Sequence, residues 1–198
     1  MIVLDISPDE RMEMLELLRE DHRADADRRL GGLLVAEPTN AEGAPGEDVG
    51  RRQYASTDCV ADASVLVKPF TRHDEADRAK ALALLGAHAD RRCRIVLPEF
   101  ARFEILNAIR FGRLAIAAHT GEALLALRDF GLHFSGIDHR TIERAVGLSW
   151  THNLSIYDAA YVALAESLEA PFVTADTKLA NRLRGHRLVV RLADFEVP

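Results

Sequence analysis

The chain of 198 residues contains only two cysteines, Cys59 and Cys93, and both lie in or beside short apolar runs. Their spacing is not that of a zinc site, and two cysteines cannot provide the dense disulfide framework of a small secreted protein. We therefore interpret them as reduced, buried thiols and expect the protein to be cytoplasmic.

Long apolar runs are also absent. No apolar stretch approaches the roughly 20 residues that a membrane-spanning helix needs. The N-terminal residues 1–6 carry no basic region and are followed closely by acids, so the sequence predicts no secretory signal and no membrane partner.

Several common catalytic patterns are missing as well. The eight histidines include no His-x-x-x-His pair. The sequence has no Gly-x-Ser-x-Gly elbow and no glycine-rich phosphate loop, and neither cysteine has an obvious catalytic setting. These absences direct attention to the acidic residues.

The net charge of −6 is unevenly distributed along the chain. Residues 1–57 contain 13 acids and 7 bases, whereas residues 58–198 contain 18 of each. A neutral domain gives no support from charge for nucleic-acid binding. Local clusters of arginine could be solvated faces or could contact an RNA backbone; they lie at Arg91, Arg92 and Arg94, at Arg102, Arg110 and Arg113, and at Arg182 and Arg184.

Composition divides the chain into three parts. Residues 1–36 form an acidic extension that predicts a helix from about residue 8 to 30, because Ser7 to Glu10 match a capping box with proline at the first helical position. Residues 37–57 are rich in glycine, proline, alanine and charge, which predicts a linker. Residues 58–198 are expected to form the folded domain.

Within residues 58–198, short apolar segments alternate with helical patterns. Strands are predicted over 58–62, 94–98, 132–137, 171–174 and 187–192. Helices are predicted over 64–70, 73–88, 99–114, 121–130, 141–151, 156–169 and 178–184. This alternation is typical of a parallel sheet covered on both faces, so we expect an α/β fold with three layers, α/β/α.

The aromatic residues of this domain are expected to belong to its core. Phe100, Phe103, Tyr157 and Tyr161 fall at helical spacing. The predicted helix over 99–114 is also expected to be apolar on most of its faces.

Two acids, Asp62 and Asp176, each follow an apolar strand. Ligands of open parallel sheets bind at the carboxyl ends of the strands, which is where both residues lie. The alternative for each is an ordinary role as the N-cap of the following helix.

Two further acids lie early in helices. Glu104 is surrounded by apolar residues, where a carboxylate without a partner costs several kcal/mol or shifts its pKa. Asp158 lies in the first turn of another helix. Glu104 could instead pair with Arg102 or Arg110, and Asp158 could simply interact with the helix dipole.

In a parallel α/β domain all four acids would face the same edge of the sheet. Carboxylates that converge repel one another, and cations relieve that repulsion. Oxygen ligands suit Mg²⁺ or Mn²⁺, and such ions can activate water and stabilise the leaving oxygen of a phosphodiester.

Four motifs in sequence resemble the PIN-domain proteins, and among them the VapC-type toxins of bacterial toxin–antitoxin pairs. They are residues 59–68 (CVADASVLVK), 97–99 with 104–108 (LPE and EILNA), 157–165 (YDAAYVALA) and 173–176 (VTAD). The resemblance extends over nearly all of residues 58–198, in order and with ordinary spacing.

This resemblance implies an endoribonuclease that uses Mg²⁺ or Mn²⁺, forms a homodimer and is inhibited by a cognate antitoxin. It implies that the catalytic and metal-binding acids are Asp62, Glu104, Asp158 and Asp176. Ser64, Asn107 and Thr174 match the family's frequent polar supporting residues.

Residues 1–57 depart from the pattern, since such toxins usually begin close to the first strand. We hypothesise that the extension 1–36 acts like an antitoxin and supplies an arginine to the acids, with Arg23, Arg28 and Arg29 as candidates. The alternative is a loosely attached tail. For the whole domain, the alternatives are a catalytically silent module of PIN fold that binds RNA or a partner, and a metal hydrolase of small molecules.

Overall fold

A computed structural model describes residues 58–70, 76–111 and 117–198 of the chain. The predicted helix over 8–30 and the linker over 37–57 lie outside the described residues, so the division into extension, linker and domain stays a prediction.

A parallel sheet of five strands forms the centre of the described domain. Its strands are β1 (Asp58–Ala61), β2 (Arg94–Pro98), β3 (His133–Ser135), β4 (Phe172–Thr174) and β5 (Val189–Arg191). The spatial order is β3-β2-β1-β4-β5, and every neighbouring pair is parallel. The predicted α/β class with a parallel central sheet is confirmed.

Helices connect the strands, as parallel pairing requires. They are α1 (Ala63–Val67), α2 (Arg78–Ala89), α3 (Ala101–Phe111), α4 (Ala117–Asp129), α5 (His139–His152), α6 (Ile156–Leu168) and α7 (Thr177–Arg182). Short 3-10 turns, Lys68–Phe70 and Leu192–Asp194, follow α1 and β5. Within the described ranges, no helix is long and apolar enough to cross a membrane.

The central position of β1 determines where a site can form. Val60 pairs with Val96 of β2 on one side and with Phe172 of β4 on the other. The strand order changes direction between β1 and β4, because the chain builds outward to β3 before it returns to β4. In open α/β sheets the crevice at such a switch point, beyond the carboxyl ends of the strands, is where ligands bind.

The core lies on both faces of β1, β2 and β4. All residues of β2 and β4 are buried, and seven consecutive residues of α6, 159–165, are buried against the sheet. Such complete burial explains why these segments are nearly continuous apolar runs rather than alternating ones. The predicted burial of the cysteines is confirmed, because Cys59 and Cys93 are free, fully buried and have their sulfur atoms 3.4 Å apart.

Helix α1 is shorter than the predicted helix over 64–70. Pro69 has no N–H group to donate to the carbonyl of Val65, and Lys68 donates its own N–H to that oxygen instead. The chain therefore tightens into a 3-10 turn after Val67.

The predictions for α3 and for two of the aromatic residues were wrong. Only Ala101, Ile105 and Ile109 of α3 are buried, so this helix has one apolar face rather than several. Tyr161 is in the core, but Phe103 is 76% exposed and Tyr157 is 60% exposed. Helical spacing could not distinguish an aromatic residue that faces the core from one at the rim of a site.

Candidate active site

Asp62 lies directly after β1 and is the most deeply buried acid of the candidate site. Its residue is 8% exposed. Its Oδ2 atom accepts hydrogen bonds from the hydroxyl of Ser64, at 2.5 Å, and from that of Thr174, at 2.6 Å. Although Asp62 occupies the N-cap position of α1, its side chain makes no capping hydrogen bond. The alternative of an ordinary helix cap therefore does not describe this carboxylate.

Both hydroxyls are oriented toward Asp62 by the backbone of β4 and the loop after it. The N–H of Ala175 donates to Ser64 Oγ, and the N–H of Asp176 donates to Thr174 Oγ1, each at 3.0 Å. Since each oxygen already accepts a backbone proton, its own proton is available to donate to the carboxylate. The predicted supporting roles of Ser64 and Thr174 thus have a geometric basis.

Burial raises the pKa of Asp62, and the nearby charge of Asp158 raises it further, whereas the bonds from Ser64 and Thr174 oppose the rise. A buried carboxylate that is held by hydroxyls and not by a cation keeps an unfavourable charge. Asp62 is therefore suited to bind a positive group.

Glu104 extends from α3 and is partly buried. The hydroxyl of Tyr161 donates to its Oε2 atom at 2.7 Å. Burial raises the pKa of Glu104, and the charges of Asp62 and Asp158 add to the rise, whereas the bond from Tyr161 opposes it. These mutual effects place the three carboxylates near one another.

The alternative ion pairs of Glu104 do not form in the described part of the chain. Arg102 lies 3.9 Å from Glu99 and 3.5 Å above the ring of Phe134. Arg110 lies 5.3 Å from the ring centre of Phe111. Glu104 therefore depends on Tyr161 for its hydrogen bond.

Tyr161 was missed as a site residue by sequence reasoning. Its ring is fully buried and packs edge-on against Phe100, with centroids 5.5 Å apart. Burial and the bond to Glu104 raise the pKa of the Tyr161 hydroxyl, so it remains a protonated donor. The available signal was its position one helical turn after Asp158, which places both side chains on neighbouring parts of the same helix surface.

Asp158 is the third residue of α6 and is partly exposed. Its backbone N–H donates to Ser155, which caps the helix, at 3.0 Å. An acid here also interacts favourably with the helix dipole, so the structural alternative and a functional role are compatible. The charge of Asp158 adds to the rise in the pKa of Asp62 and of Glu104, as expected for acids that lie near one another at the carboxyl edge of the sheet.

Asp176 has a different setting from the other three acids. It is exposed, and its Oδ1 atom caps α7 by accepting the N–H groups of Lys178, at 2.7 Å, and Leu179, at 3.1 Å. The structural alternative is therefore present at this residue. Asp176 is connected to Asp62 through its backbone, by way of Thr174, and its predicted role at a second metal stays a prediction.

A cleft of about 720 Å³ opens beside Glu104, between α3 and the start of α6. Apart from Glu104 it is lined by Phe100, Phe103, Leu106, Asn107, Arg110 and Tyr157. Asn107, one of the predicted supporting residues, is exposed in this cleft rather than bonded to Glu104. Sequence reasoning did not identify Phe103 and Tyr157 as cleft residues, although each directly precedes one of the acids.

The site residues fit a divalent cation by their chemistry. Within residues 58–70, 76–111 and 117–198, no three His, Cys, Asp or Glu side chains converge closely enough to form a complete metal cage. Asp62, Glu104 and Asp158 nevertheless offer only oxygen atoms, and their charges disfavour one another. Hard ions such as Mg²⁺ bind through one or two carboxylates and keep several waters, so a complete protein cage is not required.

Comparisons with known proteins gave one family match and several distant structural similarities. None of the curated proteins compared with the chain matches it. A toxin–antitoxin complex from Klebsiella pneumoniae is similar in structure at 18% identity, with a TM-score of 0.49, over 69% of this chain and 99% of that chain. The protein PAE2754 from Pyrobaculum aerophilum is similar at 20% identity, with a TM-score of 0.44, over 70% of this chain and 92% of that chain. The model of the PIN domain family matches residues 59–183, which is more than half of the sequence, and the chain therefore belongs to the PIN domain family.

Proposed function

We propose that this protein is a metal-dependent endoribonuclease and the toxin component of a type II toxin–antitoxin system. The observation that carries the proposal is the group of Asp62, Glu104 and Asp158 at the switch point of a parallel sheet. None of the three forms an ion pair with another described residue, and the pKa values of Asp62 and Glu104 are raised by burial and, to a smaller extent, by the neighbouring acids.

Asp62, Glu104 and Asp158 would hold Mg²⁺ or Mn²⁺ directly or through its bound waters, with Asp176 serving a second ion. When bound, such an ion lowers the pKa of water and stabilises the charge that develops on a phosphodiester. The donor set supports this assignment because carboxylate oxygens suit these ions better than zinc or copper.

The chain's own residues orient the acids and accept a proton. Ser64 and Thr174 hold Asp62 through Oδ2. Tyr161 holds Glu104 through Oε2, which leaves Oε1 to accept the proton of the attacking water.

The assignment as a toxin rests on the sequence motifs of the family. It includes a homodimer, a cognate antitoxin that masks the acid site, and an RNA substrate. The opposite reading, a silent PIN module that binds RNA without cutting it, is weakened because all four acids expected from the family pattern are present.

A cleavage assay tests the proposal directly. Labelled single-stranded RNA is incubated with the full chain in Mg²⁺, in Mn²⁺ and in EDTA, together with Glu104→Gln and Asp158→Asn. We expect fragments with either ion, none in EDTA, and a loss of at least about 100-fold in each variant.

Glu166→Gln is the matched control for this assay. Glu166 is a partly buried glutamate near the other end of α6 from Asp158, and its partners are Arg144 and His186. It should retain activity. Binding of RNA without fragments under every metal condition would establish the silent module instead, and cleavage that persists in EDTA would remove the metal from the proposal.

A further inference from the structure

The cleft beside Glu104 has features that the hydrolysis of a phosphodiester does not by itself require. The acids and the hydroxyls that hold them would suffice for the bond to be broken. The cleft adds two exposed aromatic rings, an amide and a guanidinium next to that acid group.

The two rings mark the entrance of the cleft. Phe103 is 76% exposed and Tyr157 is 60% exposed, and each directly precedes an acid of the site. The ring of Tyr157 is supported by Phe100, whose centroid lies 5.3 Å away in an edge-on arrangement. A large apolar ring gains nothing from water, so rings exposed together beside an acid site indicate a surface that binds something flat and apolar.

The polar lining lies on the same face of α3 as Phe103. Asn107 and Arg110 follow at intervals of four and three residues, so the three side chains lie along one side of the helix. The Asn107 amide offers both donors and an acceptor, which can pair with the edge of a base. The Arg110 guanidinium carries the charge that a phosphate requires.

We propose that this cleft is a subsite that holds one unpaired base of single-stranded RNA next to the scissile phosphodiester. Phe103 and Tyr157 stack on the base, Asn107 contacts its edge, and Arg110 contacts the adjoining phosphate. This inference rests on the proposed function, and it specifies the substrate as RNA whose bases are free to leave their stack.

Two other occupants fit the cleft less well. A duplex keeps its base faces covered, so it offers nothing for an exposed ring to stack on. The centre of a protein–protein interface is depleted of charged residues, whereas this cleft places Glu104 and Arg110 among its aromatics.

The test measures RNA affinity separately from cleavage. Fluorescence anisotropy gives the dissociation constant of a short single-stranded RNA, in EDTA and again in Ca²⁺, for the full chain and for Phe103→Ala. We expect binding of the wild type in at least one buffer, and a weakening of about 5- to 100-fold in Phe103→Ala, which is the range for loss of one stacked base. Phe103→Trp should restore the affinity.

Trp150→Ala is the matched control. Trp150 is another aromatic residue, in α5, and is 86% exposed, but it does not line the cleft. It should bind RNA as the wild type does. A scan with single abasic nucleotides should find one position whose loss weakens the wild type but has no further effect on Phe103→Ala.

The possible results separate the subsite from the proposed function. Equal affinity of Phe103→Ala and wild type, equal affinity for duplex and single strand, or no RNA binding in either buffer would overturn the subsite. A change of sedimentation mass in Phe103→Ala with unchanged RNA affinity would assign the cleft to a second copy of the chain, and would overturn it too. If no metal supports cleavage but the weakening and its rescue by tryptophan are observed, the subsite stands and the proposed nuclease function fails.

Discussion

The aspartates at the two ends of strand β1 have different kinds of partner. At the amino end, Asp58 forms a two-pronged ion pair with Arg94, with N–O distances of 2.9 and 2.6 Å. At the carboxyl end, four residues later, Asp62 is bonded by the hydroxyls of Ser64 and Thr174 and forms no ion pair with another described residue.

The difference separates an acid that is paired within the fold from one that, under the proposed function, would bind a metal ion. The guanidinium of Arg94 supplies the opposite charge that a partly buried carboxylate needs. The hydroxyls at Asp62 orient the carboxylate without neutralising it, so burial and Asp158 still raise its pKa. Under the proposed function, the charge of Asp62, which no described cation pairs, is the one that a metal ion would bind.

The largest expected effect is the loss of RNA cleavage when Asp62 is replaced by asparagine. Asp62→Asn keeps an oxygen for the two hydroxyls but removes the charge that would bind the metal. RNA cleavage should fall by about 100- to 1,000-fold, the range for loss of one electrostatic contributor to a transition state. The measurement is initial rate in Mn²⁺ at matched protein concentration, with Glu166→Gln as the active control. A loss of less than about tenfold would contradict the role assigned to Asp62.

The same substitution at the other end of β1 should act on stability. Asp58→Asn leaves the buried Arg94 without its main counter-charge, and loss of one partner from a buried pair costs about 3 kcal/mol. Denaturant unfolding in EDTA should show this loss for Asp58→Asn and no loss, or a gain, for Asp62→Asn. A comparable destabilisation in both variants would mean that the two ends of the strand do not differ as described.

A bound metal ion should add to the free energy of unfolding only where Asp62 keeps its charge. At about 100 times its dissociation constant, an ion that binds only the folded state stabilises it by about 2.7 kcal/mol. Mn²⁺ should therefore raise the free energy of unfolding of the wild type and of Glu166→Gln, but not of Asp62→Asn. An equal gain in Asp62→Asn would locate the ion elsewhere.

Replacing Tyr161 tests whether the hydrogen bond that orients Glu104 affects the rate of cleavage. Tyr161→Phe removes the hydroxyl that stabilises the charged form of Glu104, so the pKa of Glu104 should rise further. We expect cleavage to slow by about tenfold and the acidic limb of the pH–rate profile to move to higher pH. Tyr157→Phe keeps its ring and touches no acid in this way, so its pH profile should match the wild type. If the acidic limb of the pH–rate profile lies at the same pH in Tyr161→Phe and in the wild type, Tyr161 only packs in the core.

The smallest expected effect is on the pH dependence of stability, which we compare for Glu104 and Glu166 in metal-free buffer. The raised pKa of Glu104 means that its contribution to stability is present at low pH and is lost as pH rises through the raised value. Glu166 has its pKa lowered, chiefly by Arg144, so its contribution is present near neutral pH and is lost as pH falls through the lowered value. Unfolding free energies at pH 7 should therefore rise in Glu104→Gln and fall in Glu166→Gln, each by about 1 kcal/mol or less, because both sites are partly solvated. Changes of the same sign would refute the comparison.

The fold could be predicted from the sequence because the buried elements are apolar throughout. Strand β2 was predicted with its observed bounds, Arg94–Pro98. Helix α6 differs from the prediction by one residue, since Glu169 takes a left-handed conformation and ends the helix. Such elements are determined by local signals, namely composition, caps and period.

The candidate site was predicted less completely, because its remaining parts depend on contacts between distant segments. The four acids were selected from their positions relative to strands and helices, and their catalytic roles stay predictions. The sequence left open whether the carboxylate of Asp176 caps α7, and it did not identify the hydrogen bond from Tyr161 to Glu104. It also misplaced Phe103 and Tyr157 in the core, because the periodicity of an aromatic residue is the same whether its face is covered or open.

The strand order also determines how late in the synthesis of the chain the acid site can form. The hydrogen bond from Thr174 to Asp62 joins residues 112 positions apart, and the bond from Tyr161 to Glu104 joins residues 57 positions apart. During synthesis a chain emerges from its N-terminus, so a ribosome exposes Asp62 long before it has made the hydroxyl that orients it. The growing polypeptide therefore carries the acids without their supports until β4 is complete. Under the proposed function, the topology of the sheet would keep the nuclease inactive until β4 has been made.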